Sequence, residues 1–202
     1  TRADQDSYAA ASVQRAQRAV KDGDFQVEIA PVTVTTRKGE NVVATDETPF
    51  GVDIERIPHL KPAFNAKGTV TAASSSSISD GAASVVIASA AFAAERGLKP
   101  LARILSYSSH AQAPEWFTTA PGPAIRKAID DAGWKVADVD LFEINEAFAC
   151  VTMAAIKDLG IDPARVNVNG GACALGHPIG ATGARLITTL LHALKRRNLR
   201  RG

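Results

Sequence analysis

The sequence has little cysteine and no long apolar run. Its 202 residues include two cysteines, Cys150 and Cys173, too few for a disulfide framework in a chain of this length. This favours a reducing intracellular compartment, either the cytoplasm or the mitochondrion. No stretch approaches the ~20 apolar residues that span a bilayer, so the sequence predicts no membrane partner.

The sequence also lacks a strong excess of positive or negative charge, and it lacks metal-binding motifs. The formal net charge is +2, so no overall field would hold the chain on nucleic acid. No Cys-x-x-Cys, His-Glu-x-x-His or acidic cluster indicates a metal site. Aromatic residues make up only 5% of a chain that is 46% hydrophobic, which predicts a core of closely approaching helices and strands, as in α/β enzymes.

The first third of the chain predicts one helix, one hairpin and a long loop. A capping Thr1 begins helical spacing that closes at Gly23. Residues 27–43 alternate with period two and predict two strands, with a turn at 38–41. Residues 44–66 contain three prolines and no clean period, which predicts an irregular surface loop.

From residue 68 onwards, predicted strands alternate with predicted helices. Residues 68–80 are a run of small polar side chains, interpreted either as a flexible linker or as one wall of a ligand site. We expect strands at 82–88, 101–108, 139–144 and 166–168, and helices at 89–97, 124–133, 145–160 and from about residue 180. This order predicts an α/β fold with parallel or mixed strand pairing.

Two predicted loops carry side chains suited to chemistry, because reactive groups collect where strands end and helices begin. The first is the EINEAFA segment, residues 143–149, with Asn145 at the junction of strand and helix. Asn145 either caps the helix that follows or supplies a functional amide.

The second loop, residues 167–183, has five glycines around a single His177. Glycine permits tight backbone geometry, so this loop can hold a histidine rigidly beside a ligand, as general-base chemistry requires. A purely structural histidine is the alternative. Cys173, four residues earlier, is either a nucleophile paired with His177 or a small buried apolar residue.

At these two loops the sequence resembles the thiolase family. The resemblance lies in NEAFA, residues 145–149, and in NGGACALGHPIGATGAR, residues 169–185. Further similarity lies in TRADQDSYAAAS, GTVTAASSSSISDGAA, PLARI and AIDDAGWKVADVDLFEINEAF. The resemblance implies a layered α-β-α-β-α fold that is incomplete in this chain. Residues 1–78 would be part of a loop domain, 79–98 the closing strand and helix of the amino-terminal half, and 99–202 most of the carboxy-terminal domain.

The resemblance also implies an activity, acyl transfer between acyl-coenzyme A thioesters through a cysteine nucleophile. Thiolases condense two acetyl-CoA molecules to acetoacetyl-CoA, or cleave 3-ketoacyl-CoA in the reverse direction. The GTVTA segment and the neighbourhood of Trp134 favour the acetyl-CoA acetyltransferase type. Coenzyme A would be substrate or product, with no other cofactor, and the protein would be a homodimer or homotetramer.

Seven residues match functional positions of the family. His177 matches the histidine that activates the nucleophile and contributes to an oxyanion hole, and Asn145 matches the residue that holds a water in that hole. Five others match positions along the pantetheine tunnel: Ala72, Ser76, Ile78, Ala147 and Phe148. Plain packing is the alternative for Ile78 and Phe148.

Both catalytic cysteines of the family are expected outside this sequence. The nucleophile of the family lies upstream of the first helix here, and the acid/base cysteine would come a little beyond Gly202. Neither Cys150 nor Cys173 falls at these positions, so we expect the chain alone to be inactive. The alternatives are a noncatalytic CoA-binding or interaction module and a self-contained Cys173/His177 hydrolase.

Overall fold

The regular structure consists of six α-helices and one small sheet. A computed structural model describes all 202 residues. Its elements are α1 (Arg2–Lys21), β1 (Val32–Thr36), β2 (Gly39–Val43), α2 (Ala90–Glu95), α3 (Pro121–Asp131), α4 (Ala149–Leu159), α5 (Ala172–Leu175) and α6 (Thr182–Arg196). Short 3-10 segments lie at Thr48–Phe50, Ile54–His59, Pro114–Thr119, Val136–Asp138 and Pro163–Arg165. None of the helices combines the length and apolar character needed to cross a membrane.

Helix α1 confirms the first predicted element and forms one wall of the molecule. The Thr1 hydroxyl accepts from the backbone N–H of Asp4, and the Asp4 carboxylate accepts from the Thr1 amino group, which closes a capping box. The small buried side chains of Val13 and Ala16 pack against Ala174 of the glycine-rich loop. Because these side chains are short, the loop and the helix come close together.

The predicted hairpin forms, but with different bounds. Strands β1 and β2 pair antiparallel from Val32 opposite Val43 to Thr36 opposite Gly39, so the turn is residues 37–38 and not 38–41. Residues 27–31 do not join the first strand. The N–H groups of residues 26, 28 and 29 bond instead to the carbonyls of Gly23 and Phe25, which leaves them unavailable for a strand ladder.

The main core lies between α3 and α4, around the extended segment 139–144. Its buried side chains are Ile129, Val139, Phe142, Ile144, Ala155, Leu159, Ile161 and Val166. The Phe142 N–H donates to Arg165 O at 2.9 Å, and Asn167 N–H donates to Phe142 O at 2.9 Å. The strands predicted at 139–144 and 166–168 are thus reduced to a single parallel bridge between Phe142 and Val166.

The strands predicted at 82–88 and 101–108 are wrong for this chain. Both segments lack strand pairing, and their apolar side chains face outward, with Val86 96% and Leu101 75% exposed. Apolar β-branched residues form a strand only where a neighbouring strand supplies hydrogen bonds, and none of the 202 residues lies alongside to do so. The helix predicted between them, at 89–97, is confirmed as α2, and Ser89 caps it.

Candidate active site

The two loops singled out from the sequence meet in the structure at His177 and Asn145. Asn145 follows the extended segment 139–144, and His177 follows α5. The Nδ2 atom of Asn145 lies 3.3 Å from Nε2 of His177. The sequence predicted both residues independently, and the fold brings them into contact across 32 positions of sequence.

The hydrogen bonds of His177 assign its neutral tautomer. Thr182 Oγ1 donates to Pro178 O at 3.0 Å, so its oxygen is free to accept from Nδ1–H of His177 at 2.7 Å. The Nε2 lone pair therefore faces the amide of Asn145. An imidazole held in this way keeps a basic nitrogen directed into the site.

Asn145 does not cap the helix that follows it, so the capping interpretation is wrong. Helix α4 begins at Ala149, not at 145, and its N-cap residue is Phe148. The first N–H of the helix, that of Ala149, donates to Ser74 O at 2.8 Å. Since another segment satisfies the helix start, the Asn145 amide is left for other contacts, and its Oδ1 is buried without a protein partner.

The small polar run forms one wall of this site, so the linker interpretation is wrong. Ser76 donates from both N–H and Oγ to Ala147 O, at 3.2 and 3.1 Å. The N–H of His177 donates to Ser77 O at 3.0 Å. The serines thus bridge the Asn145 loop and the His177 loop.

The other predicted tunnel residues lie on this wall or on the neighbouring Asn145 loop, which a bridge between Ser75 and Phe148 joins to it. Ile78 pairs with His177 in a parallel bridge while its side chain is 98% exposed, and Ala72 is also exposed. Ala147 and Phe148 are half-buried. The Phe148 ring makes edge-to-face contacts with Phe64 and Phe117, at centroid distances of 5.9 and 6.2 Å, so packing accounts for at least part of its role.

An open cavity of about 340 Å³ borders Asn145. Its nine lining residues, six of them hydrophobic, are Phe117, Pro121, Ala124, Ile125, Glu143, Ile144, Asn145, Ala147 and Val151. The space is of the size and apolar character of small-ligand pockets.

Cys173 and His177 do not form a nucleophile pair. The Cys173 thiol contacts Glu146 O at 3.9 Å, and the hydrogen bonds of the His177 ring go to Asn145 and Thr182. Burial and the nearby Glu146 charge raise the pKa of Cys173 well above its usual range, so the thiol stays protonated. This removes the basis for a self-contained Cys173/His177 hydrolase.

A buried charge cluster underlies the site on the side of α6. The Glu143 carboxylate, 2% exposed, pairs with the Arg185 guanidinium at 3.5 Å, and Thr189 donates to Glu28 at 3.2 Å. Burial raises the pKa of Glu143 to about 8 and that of Glu28 to about 7, although Arg185 lowers both. Both carboxyls therefore hold protons in the folded state at a pH where free carboxyls are ionised.

We expect this cluster to make stability fall as pH rises. Glu143 titrates near 4.5 when exposed and near 8 when folded, so the folded state binds more protons between those values. Its stabilising contribution is complete below about pH 4.5 and is lost by about pH 8, with a slope of at most about 1.4 kcal/mol per pH unit. Glu143→Gln should flatten this slope in urea unfolding of the full-length protein.

Glu28→Gln is the matched comparison for that measurement. Because the pKa of Glu28 is raised only to about 7, this variant should flatten the slope below pH 7 and leave it unchanged above. A slope in Glu143→Gln identical to that of the unsubstituted protein from pH 5 to 8 would contradict the assignment.

Comparison with protein families covers nearly the whole chain. The family model for the thiolase amino-terminal domain matches residues 1–91, and that for the thiolase carboxy-terminal domain matches residues 98–202. The chain belongs to the thiolase family. The resemblance seen in the sequence is thereby confirmed.

Among curated relatives, the acetyl-CoA acetyltransferase of Paracoccus denitrificans is 50% identical over 203 residues, covering 100% of this thiolase chain and 52% of the relative. The cytosolic acetyl-CoA acetyltransferase of Mus musculus is 50% identical over 195 residues, covering 95% of this chain and 49% of the relative. The chain therefore spans about half the length of the curated relatives it matches.

Solved thiolase structures also match this chain over about half of their own length. The crystal structure of the Bacillus anthracis acetyl-CoA acetyltransferase superimposes with a TM-score of 0.95 at 45% identity, covering 98% of this chain and 51% of the other. Human mitochondrial 3-ketoacyl-CoA thiolase superimposes with a TM-score of 0.89 at 40% identity, covering 98% and 50%. These values confirm the thiolase-like fold, of which this chain contains about half.

Two residues of the candidate site received no role from the sequence. Thr182, which orients His177, lies within the second motif, and Glu146, which is fully buried, lies within the first. The sequence signal for Glu146 was its position directly after Asn145, at the predicted junction of strand and helix. No comparable signal distinguishes Thr182 from other threonines.

Proposed function

We propose that this chain is part of a longer thiolase that transfers acyl groups between acyl-CoA thioesters. The reaction is the condensation of two acetyl-CoA molecules to acetoacetyl-CoA, or the reverse thiolytic cleavage of 3-ketoacyl-CoA. The contact between Asn145 and His177 carries the proposal, because it places a basic imidazole nitrogen and an amide donor at one point. The names of the relatives support the acetyl-CoA acetyltransferase type.

In this proposal the chain supplies the base that activates the nucleophilic cysteine, and it supplies one oxyanion hole. Nε2 of His177 takes the proton of a nucleophilic cysteine, whose sulfur attacks the thioester carbonyl and expels the CoA thiolate. A second, acid/base cysteine gives its proton to the CoA thiolate, and the cysteine thiolate so formed removes an α proton from the incoming acyl-CoA. The resulting enolate oxygen is stabilised by His177 and by a water that Asn145 holds, while the α carbon attacks the acyl-enzyme carbonyl. The bond to the nucleophilic cysteine then breaks, and its thiolate takes its proton back from His177. Both cysteines belong to other parts of the full-length protein.

The substrate arm is proposed to follow the serine wall. Ser76 and Ala147 are hydrogen-bonded to each other next to the catalytic pair, and Ala72, Ile78 and Phe148 lie on the same two segments. We assign these five residues to the pantetheine arm of CoA. The division at 1–78, 79–98 and 99–202 remains a prediction.

The remaining properties also stay proposals. The full-length protein would act without a metal or a cofactor other than CoA, as a homodimer or homotetramer, with no nucleic-acid or membrane partner. The compartment would be the cytoplasm or the mitochondrion.

A thiolysis assay of the full-length protein tests this function. We expect turnover with acetoacetyl-CoA to exceed turnover with longer 3-ketoacyl-CoA substrates. The intact mass of the protein used in this assay should be larger than the 21.2 kDa of this chain. Absence of turnover on every thioester would reject the proposal, and CoA binding without acyl transfer would favour a noncatalytic CoA-binding module instead.

A further inference from the structure

Glu146 is the most completely buried charged residue next to the candidate catalytic pair. It has no exposed surface, and it follows Asn145 directly in the chain. Four donors from three separate parts of the fold converge on its carboxylate. A buried carboxylate is costly unless it is satisfied in this way, so the arrangement calls for a reason.

Each carboxylate oxygen accepts two hydrogen bonds. Oε1 accepts from the Tyr8 hydroxyl at 2.9 Å and from Nδ2 of Asn167 at 2.9 Å. Oε2 accepts from the Ser12 hydroxyl at 2.8 Å and from the N–H of Cys173 at 3.0 Å. We call these five residues the Glu146 cluster.

The cluster fixes the backbone before Asn145. The Asn167 side chain accepts from the N–H of Ile144 and donates to the carbonyl of the same residue, both at 2.8 Å. It therefore holds the backbone on one side of Asn145 while it bonds the Glu146 carboxylate on the other side.

The same cluster fixes the loop that leads to His177. Cys173 lies in α5, four residues before His177, and its N–H bonds Glu146 directly. The N–H of Gly171 donates to the Ser12 hydroxyl at 2.9 Å. A Cβ on Gly171 would overlap the Glu146 carboxylate, so the backbone of the loop lies directly against the carboxylate.

We propose that Glu146 is a positioning residue that sets the distance between Asn145 and His177 by tying both of their loops to α1. The proposal rests on the proposed thiolase function. The Glu146 carboxylate bonds neither the Asn145 nor the His177 side chain, and it acts through the backbone segments that carry them. Misplacing a catalytic group by about 1 Å can lower the rate about 100-fold. Loss of the hydrogen bonds to Glu146 would allow a displacement of this kind.

The carboxylate, and not merely a polar group of its size, is required. All four neighbours donate, and an amide at residue 146 would turn an NH₂ group toward two of these donors. The hydroxyls of Tyr8 and Ser12 can rotate to accept, but Nδ2 of Asn167 and the N–H of Cys173 can only donate. One of these two obligate donors faces each carboxylate oxygen, so the NH₂ group of an amide meets a donor in either orientation.

Glu146→Gln in the full-length protein tests the proposal. We expect kcat for thiolysis of acetoacetyl-CoA to fall by about 10- to 100-fold, with KM for the thioester within about twofold of the unsubstituted value. Asp6→Asn is the matched control, since it also changes a buried carboxylate of this region to an amide. Asp6 pairs with Arg2, away from Asn145 and His177, so kcat should be retained.

Two milder variants serve if Glu146→Gln does not fold. Tyr8→Phe and Ser12→Ala each remove one donor and keep the carboxylate, and each should lower kcat several-fold at unchanged KM, with a larger fall in the double variant. An unchanged kcat in the folded Glu146→Gln protein, or in both milder variants, would overturn the positioning role. Inactivity of the unsubstituted protein would instead reject the proposed function.

Discussion

Replacing His177 by alanine in the full-length protein is expected to lower kcat for thiolysis of acetoacetyl-CoA about 1,000-fold. General-base catalysis contributes about 10²- to 10⁴-fold, and loss of an oxyanion donor costs about 10²- to 10³-fold. His177 serves both purposes in the proposed mechanism. Because the two roles belong to one residue, their losses are not additive.

The geometry of His177 explains why no neighbour can replace it. Thr182 holds Nδ1 at 2.7 Å, which directs Nε2 toward Asn145 at 3.3 Å. After truncation, Asn145 still offers an amide donor, but an amide is no base at neutral pH. The nucleophilic cysteine would then depend on its own ionisation.

His192→Ala is the matched control for this measurement. His192 lies on α6, ten positions beyond Thr182, and it makes no hydrogen bond to either site residue. Its variant should keep kcat within about twofold. A His177→Ala protein with kcat near that of His192→Ala would remove His177 from the mechanism.

Replacing Gly170 by alanine is expected to destabilise the full-length protein by at least about 3 kcal/mol. Gly170 has φ +80°, a backbone conformation that side-chain-bearing residues rarely adopt. An added Cβ would lie 2.6 Å from Ser12 O and 2.7 Å from the Cβ of Ala16, both on α1. Neither contact is the end of a flexible side chain, so either the helix or the loop has to move.

Gly183→Ala provides the control for the steric argument. Gly183 lies in the first turn of α6 at an ordinary φ, and nothing lies within 4 Å of an added Cβ. We expect this change to be neutral or to stabilise the protein by up to about 1 kcal/mol. Urea unfolding monitored by circular dichroism compares the two variants. Equal unfolding midpoints would show that the loop and α1 are not in tight contact.

The sequence predicted local elements well where the information is local. The capping box at Thr1 and Asp4 needs only neighbouring residues, and α1 forms where predicted. Segments 82–88 and 101–108 carry equally clear apolar patterns but form no strand, because a strand depends on a partner that the pattern does not contain. The hairpin falls between these cases, since it forms but its turn is residues 37–38 and not 38–41.

For the candidate site, the sequence identified the side chains, and the fold determined which of them contact one another. His177 and Asn145 could be found from their loops and motifs, but their 3.3 Å contact could not, because it joins segments 32 residues apart. The competing readings of Asn145 as a cap and of Cys173 as a nucleophile were both chemically sound. Only the position of Ser74 at the start of α4 and the burial of Cys173 excluded them.

The sequence by itself determined the family and the two catalytic candidates, since these depend on residue identity within continuous motifs. Only the tertiary structure decided the role of Glu146. Its four donors come from α1, from Asn167 and from α5, and a carboxylate becomes a tether when folding removes water and brings such donors within 3.0 Å. The sequence contains the carboxylate and its four donors, but only burial in the folded protein joins them into one hydrogen-bonded cluster.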